Sequence, residues 1–312
     1  MYKFIDLFCG IGGFRVALEE KGMECVFSSD IDKDVQKIYK KNFGEEPHGD
    51  ITEISERKIP KHDILCAGFP CQPFSISGKQ AGLQNTNGKL FYEIIRIAQY
   101  HKPYVLLLEN VKNIINMNNG DIIKTIDTKL DEIGYKVYRN VLNASLFGIP
   151  QSRERVYFVC LRKDLGKDLT FKYYPPKETF KKIYLENILE KEVDESLYIE
   201  RQDIIVDYEK KILKDLKPLR VGYVNKGGQG ERIYSPLGHA ITLSAFGGGV
   251  GARTGLYMIE DRIRKLSINE CKILMGFEKT HYIAEGIKGY QQLGNAVIPK
   301  MISNVYDSIR VA

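Results

Sequence analysis

No apolar run in this 312-residue chain approaches the roughly 20 residues that span a bilayer, so no stretch reads as a membrane helix. The opening "MYKFIDLF" lacks the charged head and cleavage site of a secretion signal and reads as a first strand. None of the six cysteines, at 9, 25, 66, 71, 160 and 271, forms a CxxC pair. That argues against a zinc site or a redox pair and for reduced thiols in a cytoplasmic protein that binds no metal. There is no internal repeat and no low-complexity tract.

What is present fits a globular enzyme. Hydrophobic residues make up 43% and charged residues 28%. The length allows one large domain or two smaller ones. Net charge is +6, from 46 basic and 40 acidic residues, which alone says little about partners. Its location says more. Residues 201–270 hold 12 basic and 8 acidic side chains, so +4 of the excess falls there. Ten of the 28 glycines lie within 222–255, where an even spread would put about 3.

Strand-like and helix-like segments alternate through the first half. "ECVFSSD", "HDILCAG", "PYVLLLEN" and "ERVYFVCLR" read as strands. "GFRVALEEKG", "DKDVQKIYKKNF" with Asp32 as N-cap, 88–101 and 120–133 read as helices. Alternation of this kind predicts an α/β fold with a doubly wound, mostly parallel sheet. Ligands in such sheets gather at the carboxyl ends of the strands, where Asp6, Asp30, Cys71 and Glu109 fall. From about 184 the sequence turns polar, glycine-rich and short-stranded. We expect one domain over 1–183, a second, smaller domain over 184–266, and a tail, 267–312, that packs back on the first.

"DLFCGIGGF" follows the first strand and opens the first helix. The dinucleotide fingerprint GxGxxG is incomplete, because position 15 is arginine after Gly10 and Gly12. That counts against a nicotinamide oxidoreductase. Asp30 lies 20 residues after Gly10, where a carboxylate grips ribose hydroxyls, and Asp50 adds a third nearby acid. Three acids and no basic phosphate cradle suit S-adenosylmethionine, a cofactor without phosphate and with a positive sulfonium. A plain glycine turn with helix-capping acids is the alternative.

"CAGFPCQPFS" brackets Cys71 and Gln72 between Pro70 and Pro73, stiffening the chain on both sides of one thiol. A thiolate is a strong nucleophile. Added to carbon 6 of cytosine, it turns the ring into an enamine whose carbon 5 can attack a methyl group. An acid at ring nitrogen 3 eases that addition. Glu109, after the apolar run of "LLLENV", is placed for it, and burial would raise its pKa. A structural salt bridge is the other reading of that glutamate. Arg153 and Arg155 in "QSRERVYF" are two apart, as on one strand face, where an arginine could bind the base's carbonyl oxygen and orient the glutamate. The polar, aperiodic "SISGKQAGLQNTNGK" suits a lid over an extruded base.

These residues carry a family resemblance. In order, "DLFCGIGG", "GFPCQPFS", "ENV", "QSRERVY" and "QLGNAV" resemble the bacterial cytosine-5 DNA methyltransferases over nearly the whole chain. The resemblance implies Cys71 as nucleophile, with Gln72 beside it, Glu109 as the acid at nitrogen 3 and Arg155 as the oxygen-binding residue. It implies a cofactor pocket lined by Phe8, Gly10, Gly12, Gly13, Asp30, Ile31, Asp50, Ile51, Pro70, Leu90, Asn295, Ala296 and Val297.

Within the family, "GGQGERIYS" and "AITLSA" are most similar to a member that methylates the first cytosine of GCGC. That member carries tryptophan where this chain has Ile31, serine at Ala296 and tyrosine at Phe246. The likeness implies Gln229 entering the gap left by a flipped base and Ser77 and Lys79 approaching from the lid. Arg232, Thr242, Phe246 and Gly249 would face the DNA, with Lys226 and Arg253 on phosphates. The implied partner is double-stranded DNA, with a restriction endonuclease acting on the same site without direct contact; a monomer is the default expectation. The competing readings are a tRNA cytosine-5 methyltransferase and an inactive DNA-binding relative.

Overall fold

Strands that are apolar on both faces build the first part of the molecule. In the computed structural model, which describes residues 1–70, 89–165, 169–173, 182–207 and 214–311, the chain forms two compact units. One comprises Met1–Leu142, Arg155–Pro175 and Ile302–Ala312, the other Asn143–Glu154 and Pro176–Met301. Cys71, Gln72, Ser77 and Lys79 lie outside the described residues.

The first unit runs β1 (Lys3–Leu7), α1 (Gly13–Glu19), β2 (Glu24–Ser29), α2 (Lys33–Phe43), β3 (Ile64–Gly68), α3 (Lys89–His101), β4 (Val105–Val111), α4 (Asp121–Glu132) and β5 (Tyr135–Asn143). After the short β6 (Gln151–Ser152) of the other unit come β7 (Glu154–Arg162) and β8 (Leu169–Phe171). The sheet order is β2-β1-β3-β4-β7-β5. β1 pairs in parallel with β2 and β3, and β3 with β4, whereas β7 runs antiparallel to β4. The sheet is therefore mixed but mostly parallel. Leu106, Leu107 and Leu108 are consecutive and all fully buried, so β4 is covered on both faces. Phe91, Ile94 and Ala98 of α3 and Ile122, Ile126 and Leu130 of α4 share a core cluster with Ile5, Leu65 and Phe158. Asp32 caps α2 by accepting from the N–H groups of Asp34 and Val35, and Gly44 ends that helix at φ 77°.

β5 was not foreseen in the sequence. It lies at the sheet edge, and polar residues such as Lys136, Arg139 and Asn140 interrupt its apolar signal.

The second unit holds a five-stranded sheet of short strands: β9 (Ile205–Val206), β10 (Arg220–Tyr223), β11 (Arg232–Tyr234), β13 (Leu256–Ile259) and β14 (Arg262–Arg264), in the order β14-β13-β11-β10-β9. β12 (Ala240–Ile241) pairs instead with β6. Val221, Val224, Ile233, Leu256, Met258 and Ile263 form its core. α5 (Ile268–Leu274) and α6 (Gly286–Asn295) follow. Arg264 and Glu270, both essentially inaccessible, make a two-bonded ion pair at 2.8 and 2.7 Å that ties β14 to α5. α7 (Pro299–Asp307) leads into β15 (Ile309–Val311), which pairs antiparallel with β8 in the first unit.

Candidate active site

The turn between β1 and α1 needs left-handed backbone at Phe8 (φ 57°), Gly10 (φ 53°) and Gly12 (φ 86°). Gly12 is fixed by sterics as well, since a Cβ there would lie 2.3 Å from the Phe43 ring. Asp30, at the end of β2, holds the turn. Its carboxylate accepts from the N–H of Gly10 at 2.9 Å and of Asp32 at 3.0 Å. Burial pushes the Asp30 carboxyl above its ordinary range, against those two donors. Ile31 beside it is 68% exposed, an apolar side chain with an open face. Asp50 caps the turn over Ile51–Glu53 by accepting from the N–H and hydroxyl of Thr52. Gly13 and Ile51 are buried, Leu90 is half-buried and Pro70 exposed.

Asp6, on β1, is fully buried, and neither carboxylate oxygen makes a full hydrogen bond among the described residues, the backbone N–H of Arg15 reaching it only weakly. Arg15, whose charge favours ionised Asp6, spends its guanidinium on Glu19 and Glu45 and stacks over Phe43. Burial raises the Asp6 carboxyl well above its usual range. Between the unfolded value, about 4, and that raised value, the folded protein holds its Asp6 proton more tightly than the unfolded chain does. Stability falls on this account as pH rises from there towards the raised value. Asp6→Asn should thus gain stability relative to the native protein as pH rises above about 4.5, read as a widening gap in urea midpoints. A gap that stays level or closes would show that Asp6 is ionised in the fold.

Glu109 and Arg155 meet across the β4–β7 ladder. Val111 lies opposite Arg155, and Glu109 sits two residues earlier on the same face. Arg155 Nε is 3.2 Å from Glu109 Oε1, and both side chains are nearly buried. The third residue of the cluster, Asn110, escaped the sequence reading. Its Nδ2 donates to the Phe69 carbonyl at 2.8 Å, and its Oδ1 accepts from the Val111 N–H. Gly68 pairs with Glu109, so the chain that leads into Cys71 is fixed beside the acid.

Arg153 does not share a strand face with Arg155. It falls in the break between β6 and β7 and belongs to the second unit. Its buried guanidinium donates to the carbonyls of Leu243, Gly294 and Ala296 at 2.9–3.1 Å. Gln151 works alongside it, donating to Leu274 O and accepting from Leu243 N–H. Arg153 thus braces the segment carrying Asn295, Ala296 and Val297, of which only Asn295 is exposed.

The two glycine-rich loops of the second unit pack against each other. A Cβ on Gly230 would lie 2.1 Å from the Gly248 carbonyl, and the Gly251 N–H donates to Gly230 O at 2.7 Å. The glycines thus allow loop-on-loop contact. The joined loops expose Lys226, Gln229, Arg232 and Gly249, and Phe246 stands 80% exposed. Arg253 is half-buried at φ 71°, with Nε unbonded among the described residues. Thr242 is turned inward, its hydroxyl donating to Ser152 O.

No helix among the described residues is long and apolar enough to cross a membrane. Residues 2–310 match the family model for C-5 cytosine-specific DNA methylases. The type II methyltransferase M.HhaI of Haemophilus parahaemolyticus is 46% identical over 306 residues, 97% of this chain and 92% of that protein. M.MspI of a Moraxella species is 40% identical over 313 residues, all of this chain and 71% of that protein. The solved S. pombe Dnmt2 methyltransferase shares the fold at TM-score 0.72 and 20% identity, covering 98% of this chain and 97% of that one. With a family match over nearly its whole length and relatives of this identity, the chain belongs to the C-5 cytosine-specific DNA methylase family.

Proposed function

We propose that this DNA methyltransferase moves a methyl group from S-adenosylmethionine to carbon 5 of a flipped-out cytosine, with Cys71 as its nucleophile. The observation that carries the reading is Glu109, nearly buried, paired with Arg155 at 3.2 Å and adjacent to the strand end that leads into Cys71. In this reading the Cys71 thiolate bonds to carbon 6, and Glu109 delivers a proton at nitrogen 3. Arg155 holds the glutamate and binds the base's oxygen 2. Carbon 5 thereby becomes nucleophilic. Loss of the carbon-5 proton after methylation lets the thiolate leave.

The donor supplies an electrophilic methyl when bound. The residues present fit it. Asp30 is fixed at the glycine turn for ribose hydroxyls, Asp50 lies at a second turn, and Ile31 offers an exposed apolar face for the adenine. Phe8 and Leu90 complete the proposed lining within the first unit.

Residues 184–266 are proposed to read the target. Flipping costs a few kcal/mol, which Gln229 offsets by filling the gap. Arg232 and Phe246 are exposed as base-reading side chains should be. The resemblance in Gln229, Arg232 and "AITLSAFGGG" favours GCGC, with a monomer acting at a site shared with a cytoplasmic restriction endonuclease. Bisulfite sequencing of a methylated random-sequence library tests this, with tRNA as a parallel substrate. Methylation confined to GCGC is the expected result. Methylation at every CG would mean that the outer contacts are missing, consistent with the hydroxyl lost at Phe246. Sites without CG would refute the recognition assignment, and methylated tRNA with unmodified duplex would overturn the DNA reading.

A further inference from the structure

Arg96, on α3, is bonded to more partners than any surface helix needs. Its Nε donates to Glu93 at 2.8 Å and its Nη1 to Glu56 at 2.6 Å. Its Nη2 donates to two backbone carbonyls, Ile51 O at 3.1 Å and Ile54 O at 2.9 Å. Those carbonyls close the short helical turn over Ile51–Glu53, which Asp50 opens. The turn has few bonds of its own, and a three-residue helix is marginal alone. One end is thus set by Asp50 and Thr52, the other by a guanidinium reaching across from α3.

We propose that Arg96 is a positioning residue for the methyl donor: it fixes the turn that carries Asp50 and Ile51. The proposal rests on the donor pocket described under the function above. Arg96 touches no donor atom in this scheme. It acts by holding the turn's carbonyls, so that Asp50 and the Ile51 side chain, packed in the core with Ile95, keep one orientation. A lysine cannot replace it, because one ammonium lacks the planar fork that spans two carbonyls and two carboxylates. The Arg96 side chain is 30% exposed, so its removal admits water and leaves no sealed cavity.

The test uses the full chain with Arg96→Met and Arg96→Lys. Calorimetric titration gives Kd for S-adenosylmethionine and S-adenosylhomocysteine, and amide hydrogen exchange reports on residues 51–54 in the free protein. Small misplacements of positioned groups can cost about a hundredfold, and a partly released turn is expected to raise both Kd values roughly tenfold in Arg96→Met. Exchange at the turn should quicken, DNA affinity should stay unchanged, and Arg96→Lys should fall between. Unchanged donor Kd in a folded Arg96→Met would overturn the proposal, as would equal losses of donor and DNA affinity. Should Arg96→Met not fold, the same two readouts on Arg96→Lys decide. A native protein that binds neither ligand would overturn the donor reading itself, and with it this role.

Discussion

Cys71→Ser should retain less than about a hundredth of the methyl transfer while binding duplex DNA as the native protein does. A free thiol ionises near pH 8.5, so a usable fraction is thiolate at neutral pH, more if its surroundings favour the anion. A serine hydroxyl is far less acidic and its oxygen adds poorly to carbon 6. The substitution changes one atom, so the binding surfaces should survive. Radiolabelled methyl incorporation and a gel-shift titration on the same preparation separate the two effects. Activity above about a hundredth of native would remove Cys71 from the mechanism, and parallel loss of DNA binding would point to a structural role instead.

Glu109→Gln should slow the transfer by about 10²–10⁴-fold, the usual worth of a positioned acid or base. Glutamine keeps the shape and can still accept from Arg155 Nε, which lies 3.2 Å from the native carboxylate. It cannot deliver a proton to ring nitrogen 3. Single-turnover rates with saturating donor and DNA isolate that step from binding. A loss under about tenfold would mean that the glutamate only anchors Arg155, which is the salt-bridge reading its sequence context also allowed.

How far the sequence revealed the molecule depended on how local each signal was. Asp32 as the cap of α2, the strands around Leu106–Leu108 and the placement of Asp30 against the glycine turn rest on neighbours or on one β-α-β unit. That an arginine of "QSRERVYF" would orient Glu109 was legible because both strands are strongly apolar, whereas the choice of Arg155 over Arg153 rested on the family resemblance. The two arginines parted because the break between β6 and β7 has no clear marker in "QSRERVYF". Arg153 takes partners 90, 141 and 143 residues away, and Asn110 takes one 41 residues away. No local pattern encodes such bonds. Arg96 was hidden for the same reason: on an amphipathic helix an arginine reads as solvated surface, and only the fold brings it to a turn some 45 residues earlier.

The most direct test of the account is trapping. Duplex DNA with 5-fluorocytosine at the target position, incubated with the native protein and S-adenosylmethionine, should yield a covalent complex. After methylation the fluorine cannot leave as a proton does, so the thiolate cannot be expelled. Mass spectrometry of the digested complex should find the nucleotide on the peptide containing Cys71. An adduct on another residue, or no adduct from a preparation that methylates unmodified DNA, would contradict the covalent mechanism.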